Sequence, residues 1–385
     1  MRKWKKTLAA MIAITVITMG ITSLLENAEA KSLPVKVTIN DSHVELMNEP
    51  LLINGAVLLP LREIGTLMNS KTTYFSEGKS IIVNSPTTHI EMRLGSKQTM
   101  LNGKSYTLPT IPKNINGTVY VPVRFVTEGL GAGVQWFDKE QRVNLAFNQR
   151  YIFAEKGVKS YWVDKKDGKL YLSVNAKAAT FVADTDVNIW EYPTFSIDTL
   201  SSNVDLLKIH DNYGEPHLND DIYKLLIVDE KLKLETKVQY WGIHPIQNID
   251  WSTGKNALLL NGTQLIEVNR DGSVKATHDL KTLTGLDASS FQVELYDEEY
   301  MVVRPHDTGW LTLIDRKTNK ATRLADVLLD KDKLEIYRTI DIRDSYFYQW
   351  DGLKVIERVG SSLLLSHVYF MDRTETKLTY NLTEN

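Results

Sequence analysis

The chain has 385 residues, 43% hydrophobic and 24% charged, with 45 Lys and Arg against 48 Asp and Glu for a net charge of −3. That length allows two or three domains of ordinary size, and the composition is that of a folded globular protein without low-complexity segments. There is no cysteine, which excludes disulfides, thiol catalysis, Cys-ligated zinc and a lipoprotein anchor.

Residues 1–30 read as an export signal. Arg2, Lys3, Lys5 and Lys6 form a basic start, Leu8–Leu25 is apolar, and Ala28-Glu29-Ala30 is a small-x-small cleavage site. The alternative is a retained anchor, because the apolar stretch approaches the length of a membrane span. Thr15, Thr18, Gly20, Thr22 and Ser23 dilute it, so cleavage beside Ala28 and Ala30 is expected. Both readings place the body of the chain outside the membrane, with membrane contact only if the signal is retained.

Residues 31–150 contain a duplication. Asn54-Gly-Ala-Val-Leu-Leu-Pro-Leu-Arg62 returns as Asn116-Gly-Thr-Val-Tyr-Val-Pro-Val-Arg124. Laid over each other without a gap, 36–83 and 98–145 share Asn40, Leu46, Pro50, Ile53, Asn54, Gly55, Val57, Pro60, Arg62 and Phe75 with their counterparts. The Asn-Gly pairs predict turns with positive φ between strands. Pro60 and Pro122 suit the first turn of a helix, and Leu61, Ile64 and Leu67 recur at helical spacing, as do Val123, Val126 and Leu130. Gly129, Gly131 and Gly133 are expected to end the second helix. The first copy has Asn69-Ser70-Lys71 in place of Gly131-Ala132-Gly133, which leaves the end of its helix less defined. Strands at 72–75 and 80–83, and at 134–137 and 142–147, complete each copy. Between the copies, Thr88–Leu94 alternates as a half-buried strand that bridges the halves. Neither copy alone buries much core, so the two are expected to share one.

The doubled N-G-x-V-x-[LV]-P-[LV]-R, the following helix and the hairpins carrying Tyr74-Phe75 and Trp136-Phe137 resemble the copper amine oxidase N-terminal domain family, a stalk module of secreted bacterial proteins. The resemblance covers roughly Lys36 to Phe147. It implies a positioning role and no copper chemistry, which in the oxidases belongs to another domain with an Asn-Tyr-Asp/Glu cofactor motif and His-x-His ligands. Here the one Asn-Tyr is Asn212-Tyr213, followed by Gly214, and the eight histidines (His43, His89, His210, His217, His244, His278, His306, His367) include no His-x-His pair. The fold-signature residues are Asn54, Gly55, Pro60, Arg62, Asn116, Gly117, Pro122 and Arg124. Paired arginines could clamp an anion, but repetition with the fold signature favours tying down a neighbouring loop or strand carbonyl.

From 151 to 385 the texture is that of an all-β domain. Strand pairs flank Asp167-Gly168, Asn261-Gly262, Asp271-Gly272 and Asp351-Gly352, with a short helix candidate at Leu324–Leu329. Apolar strands ending in acidic or Asn turns recur near Asp229, Asn269, Asp315 and Asp372 at uneven intervals. The expected architecture is an α+β duplicated stalk-like module followed by an irregular five-bladed β-propeller; a β-sandwich or twisted open sheet is the alternative.

Charge divides with the domains. Residues 31–150 carry 13 Lys and Arg against 9 Asp and Glu, net +4; residues 151–385 carry 28 against 37, net −9. No nucleophile elbow, zinc-protease helix or phosphate loop is present. The polar stretch Gly214–Asp221, with Glu215, His217, Asn219, Asp220 and Asp221, does not match a calcium loop and reads as an exposed connection. Asp229, Asp250, Glu294, Asp307 and Asp315 are available as a glycosidase pair, although turn aspartates ordinarily satisfy local N–H groups. Of Trp162, Trp190, Trp241, Trp251, Trp310 and Trp350, most are expected in the core and some could stack on a ligand. No cofactor and no metal is expected. The expected function is an exported non-enzymatic binding or scaffold protein of the cell surface, with an anionic wall polymer, a glycan or a protein as ligand and no nucleic acid. A secreted polysaccharide hydrolase is the alternative.

Overall fold

The computed structural model describes residues 34–216, 218–242, 245–339 and 350–383. The export signal with Ala28 and Ala30, His217 and His244 lie outside the described residues. The chain divides into two compact units. One takes residues up to 64 with 95–97 and 108–147; the other takes 65–94, 98–107 and 148–385.

The first copy supplies β1 (Lys36–Ile39), β2 (Ser42–His43), β3 (Leu51–Ile53), β4 (Ala56–Pro60), α1 (Leu61–Leu67), β5 (Lys71–Phe75) and β6 (Ser80–Ser85). After β7 (Thr88–Arg93), the second copy repeats that order as β8 (Gln98–Leu101), β9 (Lys104–Thr107), β10 (Lys113–Ile115), β11 (Thr118–Pro122), α2 (Val123–Gly129), β12 (Gly133–Phe137) and β13 (Arg142–Ala146). Asn54 and Gly55 have φ of 51° and 75°, and Asn116 and Gly117 of 51° and 85°. Two successive positive φ values define the turn that matches strand twist in a tight hairpin. The two signature strands then pair with each other, Leu58 opposite Pro122, Leu59 opposite Val121 and Pro60 opposite Tyr120, in a sheet ordered β10-β11-β4-β3. The prolines therefore end these strands one residue before the helix, not within its first turn. Pro122 caps α2 at φ −61° and ψ 114°, an extended backbone that the proline ring fits.

Both helices end alike. Gly131 N–H reaches Glu128 O at 3.0 Å and Ala132 N–H reaches Thr127 O at 2.8 Å, the paired closure in which the residue after the cap turns left-handed. In the first copy Asn69 takes that conformation at φ 45°, and Ser70 N–H closes on Gly65 O at 3.0 Å. Asparagine tolerates the left-handed region, so the missing glycines do not blur the helix end.

The division runs through the module because the copies exchange strands. β1 of the first copy lies parallel to β13 of the second, Lys36 opposite Arg142 through Ile39 opposite Leu145, in a sheet ordered β12-β13-β1-β2. The counterpart sheet is ordered β5-β6-β7-β8-β9. There β7 inserts between the two copies, with Ile81 opposite Met92 and Ile90 opposite Leu101. Neither copy completes its sheets alone.

The rest of the second unit is a succession of antiparallel meanders in chain order. The first is β14 (Tyr151–Lys156), β15 (Lys159–Asp164), β16 (Leu170–Val174) and β17 (Thr180–Ala183). The second is β18 (Tyr192–Ser201), β19 (Val204–Tyr213), β20 (Asn219–Val228) and β21 (Lys231–Trp241). The third is β22 (Ala257–Asn261), β23 (Gln264–Val268) and β24 (Val274–Asp279), followed by α3 (Leu280–Thr284). The fourth is β25 (Phe291–Tyr296), β26 (Tyr300–Pro305), β27 (Thr312–Asp315) and β28 (Ala321–Arg323), with α4 (Leu324–Leu328) and α5 (Lys331–Thr339) after it. The fifth is β29 (Leu353–Val359), β30 (Ser362–Val368) and β31 (Glu375–Asn381).

Alternate side chains of these strands pack the sheets together face to face. Tyr161, Val163 and Leu172 of the first meet Leu207, Ile209 and Tyr223 of the second. Leu206 and Leu226 meet Leu259 and Ile266 of the third. Leu258 and Leu265 join Phe291 and Val303 of the fourth, and Val302 and Leu313 meet Leu363 and Leu365 of the fifth. The other side of the first meander carries the β5–β9 sheet: Trp162 Nε1–H donates to Asn69 O at 2.8 Å, Asn69 Nδ2 to Tyr151 O at 2.9 Å, and Asn84 Nδ2 to the carbonyls of Ala176 and Lys177 at 2.9 Å each. On the fifth meander Ile356 and Val359 remain half exposed. Among the described residues no helix is long and apolar enough to cross a membrane.

Candidate recognition surface

The repeated arginines point outward. Arg62 and Arg124 are exposed on their helices, and Arg124 lies 3.8 Å from Glu128 one turn on. Beside Arg62, the buried Glu63 accepts the N–H groups of Met47 and Asn48 at 3.0 Å each and so holds the neighbouring loop. Only the first copy has this carboxylate, since Phe125 stands at the matching position.

The acidic residues raised as hydrolase candidates are each engaged locally. Asp229 accepts from Asn203 Nδ2 at 2.8 Å, Asp307 from Ser289 N–H, and Asp315 from the N–H groups of Lys317 and Thr318. Asp250 sits between Lys208 and Lys224, 2.8 Å from each. Lys224 is buried beside a cavity of about 140 Å³, and its Nζ also donates to Leu258 O at 2.7 Å. Burial lowers the Lys224 pKa against the pull of Asp250, and the two acceptors hold the amine in place as a pin between the second and third meanders. Glu294 and Asp351 share Arg304, itself fully buried, at 2.8 and 2.7 Å.

The histidines are dispersed in the same way. His210 meets Asp220 at 2.6 Å, His278 meets the Tyr296 hydroxyl at 2.8 Å, and His367 meets Tyr337 at 3.2 Å. Among the described residues no three His, Asp or Glu side chains gather to hold a metal ion. The Gly214–Asp221 stretch is not a loop throughout. Asn219, Asp220 and Asp221 already belong to β20, where alternation sends Asp220 toward His210 and Asp221 toward Lys237 at 2.7 Å on the other face.

The tryptophans differ in burial, with Trp251 and Trp310 partly buried against the cores. Trp162 and Trp350 are fully enclosed, whereas Trp190 is 60% and Trp241 54% exposed. Both exposed indoles stand at one end of the second meander. Trp190 precedes β18, and Trp241 closes β21 opposite Asn219, which is itself opposite Tyr213. Cross-strand partners share a face, so Tyr213, Asn219 and Trp241 form a row.

The row is held from beneath. Asp211 is buried and accepts the main-chain N–H groups of Trp190 and Glu191. Trp190 stacks on Tyr213 with ring centroids 5.7 Å apart and planes 26° from parallel. The Tyr213 hydroxyl accepts from Gln239 Nε2 at 3.0 Å and points to Asp221; burial and then Asp221 raise its pKa. His306 Nε2 lies 2.6 Å from Trp241 O, which fixes the other end. Sequence reading raised Trp190 and Trp241 among possible stacking residues but did not join them with Tyr213, because Pro193 disguises β18, although Phe195 and Ile197 alternate correctly, and because Asn212-Tyr213 drew notice only as a failed cofactor motif.

Residues 38–145 match the model of the copper amine oxidase N-terminal domain. The duplicated module belongs to that family. No curated protein matches the chain. The chain is similar, at 11% identity and TM-score 0.21, to a protein of unknown function from Bacteroides caccae, over 77% of this chain and 91% of that one. It is similar to the WD40 domain of SCAP from fission yeast at 10% identity and TM-score 0.22, over 88% and 67%. It is also similar to a putative exported protein from Bacteroides fragilis at 11% identity and TM-score 0.17, over 57% and 79%. Likeness at this level assigns neither fold nor activity.

Proposed function

We propose that the chain is an exported, non-enzymatic binding protein of the bacterial cell surface, in which the copper amine oxidase N-terminal module positions a β-rich unit that presents a recognition surface. The observation that carries this reading is the division of labour among polar and aromatic side chains. Carboxylates, lysines and histidines are consumed in pairs that join strands and sheets, while two large indoles are held in solvent on a fixed backbone. Exposed tryptophan on a rigid base is what binding surfaces use, because it offers contact area at little entropic cost. In this reading the meanders are propeller-like blades, and the β5–β9 sheet covers the first blade where a closing blade would otherwise pack. The basic start of the chain and Ala28-Glu29-Ala30 supply the export.

The test is cosedimentation of the purified full chain with cell-wall sacculi, stripped or not of anionic polymers, over a salt series, with an assay for released reducing ends. Retention without release of reducing ends supports the proposal. Absence of binding to every wall fraction, or release that a single carboxylate substitution abolishes, overturns it.

A further inference from the structure

We infer that the Trp190–Tyr213 stack and Trp241 form a binding strip for a neutral glycan chain with equatorial linkages, such as a β-1,4-linked hexopyranose. This rests on the binding-protein reading and names the ligand class for it.

Four observations converge. First, the strip is preorganised, since the buried Asp211 carboxylate spends both oxygens on the N–H groups of residues 190 and 191, so no ordering of Trp190 remains for the ligand to drive. Second, the spacing is fixed by the sheet. Tyr213 and Trp241 lie on strands either side of β20, two interstrand steps of about 4.8 Å each, so their main chains stand about 10 Å apart, a span that a disaccharide unit of an extended glycan can bridge. Third, the rings are interleaved with amides and not with aliphatic side chains. Gln239 and Asn219 sit beside them, and an amide offers both donor and acceptor to sugar hydroxyls. The axial C–H face of an equatorially linked pyranose meets the negative face of an aromatic ring. Fourth, the surroundings are acidic: Glu191, Glu215, Asp211, Asp220 and Asp221 stand at this end against Lys237 and His210. That field repels a polyanion, so of the expected ligands an anionic wall polymer does not fit here.

The experiment is calorimetric and tryptophan-fluorescence titration of the purified full chain with cellohexaose and chitohexaose. Maltohexaose serves as the axially linked control and polygalacturonate as the anionic one. The variants W190A and W241A, and the aromatic replacements W190F and W241F, are titrated alongside, with circular dichroism to confirm the fold. Both indoles are half exposed or more, so their truncation leaves the cores intact. The expected result is binding of a β-1,4 probe at least about tenfold weaker in each alanine variant, with partial recovery in the phenylalanine variants. Polygalacturonate does not compete. Equal binding by W190A and W241A overturns the inference, as does preference for polygalacturonate, or binding of an extended peptide but no glycan at these tryptophans. Sacculus binding by W190A/W241A at the level of the unsubstituted chain overturns the strip alone. Loss of sacculus binding by the unsubstituted chain overturns the general reading with it.

Discussion

The indole N–H of Trp162 donates to the main-chain carbonyl of Asn69 at 2.8 Å. Asn69 stands where the second copy has Gly131, and the difference has a physical use. A left-handed residue was needed at both helix ends, and glycine would have supplied it. Asparagine supplies it too, and its side chain reaches Tyr151 O at 2.9 Å. The position where the copies diverge helps attach the β5–β9 sheet to the first meander. Asn69→Gly keeps the helix closure and loses the side-chain bond, for an expected loss of about 1 kcal/mol. Trp162→Ala empties a fully buried site and is expected to cost about 3–5 kcal/mol. Urea unfolding measures both; equal effects from the two substitutions would contradict this account of the attachment.

Arg304 has no exposed surface, yet it meets Glu294, Asp351, the carbonyls of Gly309 and Leu353, and the face of Trp350 at 4.8 Å. Its guanidinium joins the fourth meander to the start of the fifth. Removing one member of such a group strands the others without water. Arg304→Met should cost about 3–5 kcal/mol, because two buried carboxylates lose their cation. The triple variant E294Q/R304M/D351N should recover much of that. A single variant within about 1 kcal/mol of the parent in guanidinium unfolding would show that water reaches the carboxylates.

Much of the module was legible in the sequence, because its turns are local chemistry. Asn54-Gly55 and Asn116-Gly117 announce hairpins wherever they occur, and apolar spacing placed α1 and α2 correctly. The exchange of strands between copies was not legible, since pairing β1 with β13 joins residues over a hundred positions apart and leaves no local trace. In the second unit the short hairpins were readable from Asp-Gly and Asn-Gly turns. The ten-residue strands β18 and β19 were not, because Pro193 and the charged positions Lys208 and Asp211 break the expected alternation. Lys208 pairs with Asp250 and Asp211 holds the N–H groups of Trp190 and Glu191, tertiary uses that propensity does not encode. The assembly of the recognition surface was not legible for the same reason, since Trp241 joins Tyr213 only through β19–β21 register and Trp190 only by stacking on Tyr213.

The duplicated turns give a test of equivalence. Gly117 has φ 85° and Gly55 has φ 75°, and a Cβ at either would meet no atom within 4 Å. The penalty for alanine is therefore backbone strain alone, about 1–2 kcal/mol. Gly55→Ala and Gly117→Ala should cost alike and add when combined, within about 0.5 kcal/mol. Marked non-additivity in thermal or denaturant unfolding would mean that the β3–β4 and β10–β11 turns are coupled through the β4–β11 pairing.

His367 sets the pH response. It is almost fully enclosed, packed edge-on against Tyr337, and burial, followed by the charge of Lys333, holds its imidazole below the usual range. His278 is lowered by burial and then by Arg316. In the unfolded chain both titrate near about 6.5. As pH falls through that value the unfolded state takes up protons that the folded state refuses, so stability declines toward the folded pKa; above it the contribution is complete. The carboxylates respond elsewhere. Lys317 and then Arg358 pull Glu299 down to about 2, and its share is lost only at much lower pH. Between about pH 6.5 and 5 the slope should therefore belong to the histidines. His367→Gln with His278→Gln should flatten that part of the profile while leaving the acid limb below about pH 4 unchanged. Stability that stays level or rises from pH 7 to 5 in the parent chain would show that these imidazoles accept protons within the fold.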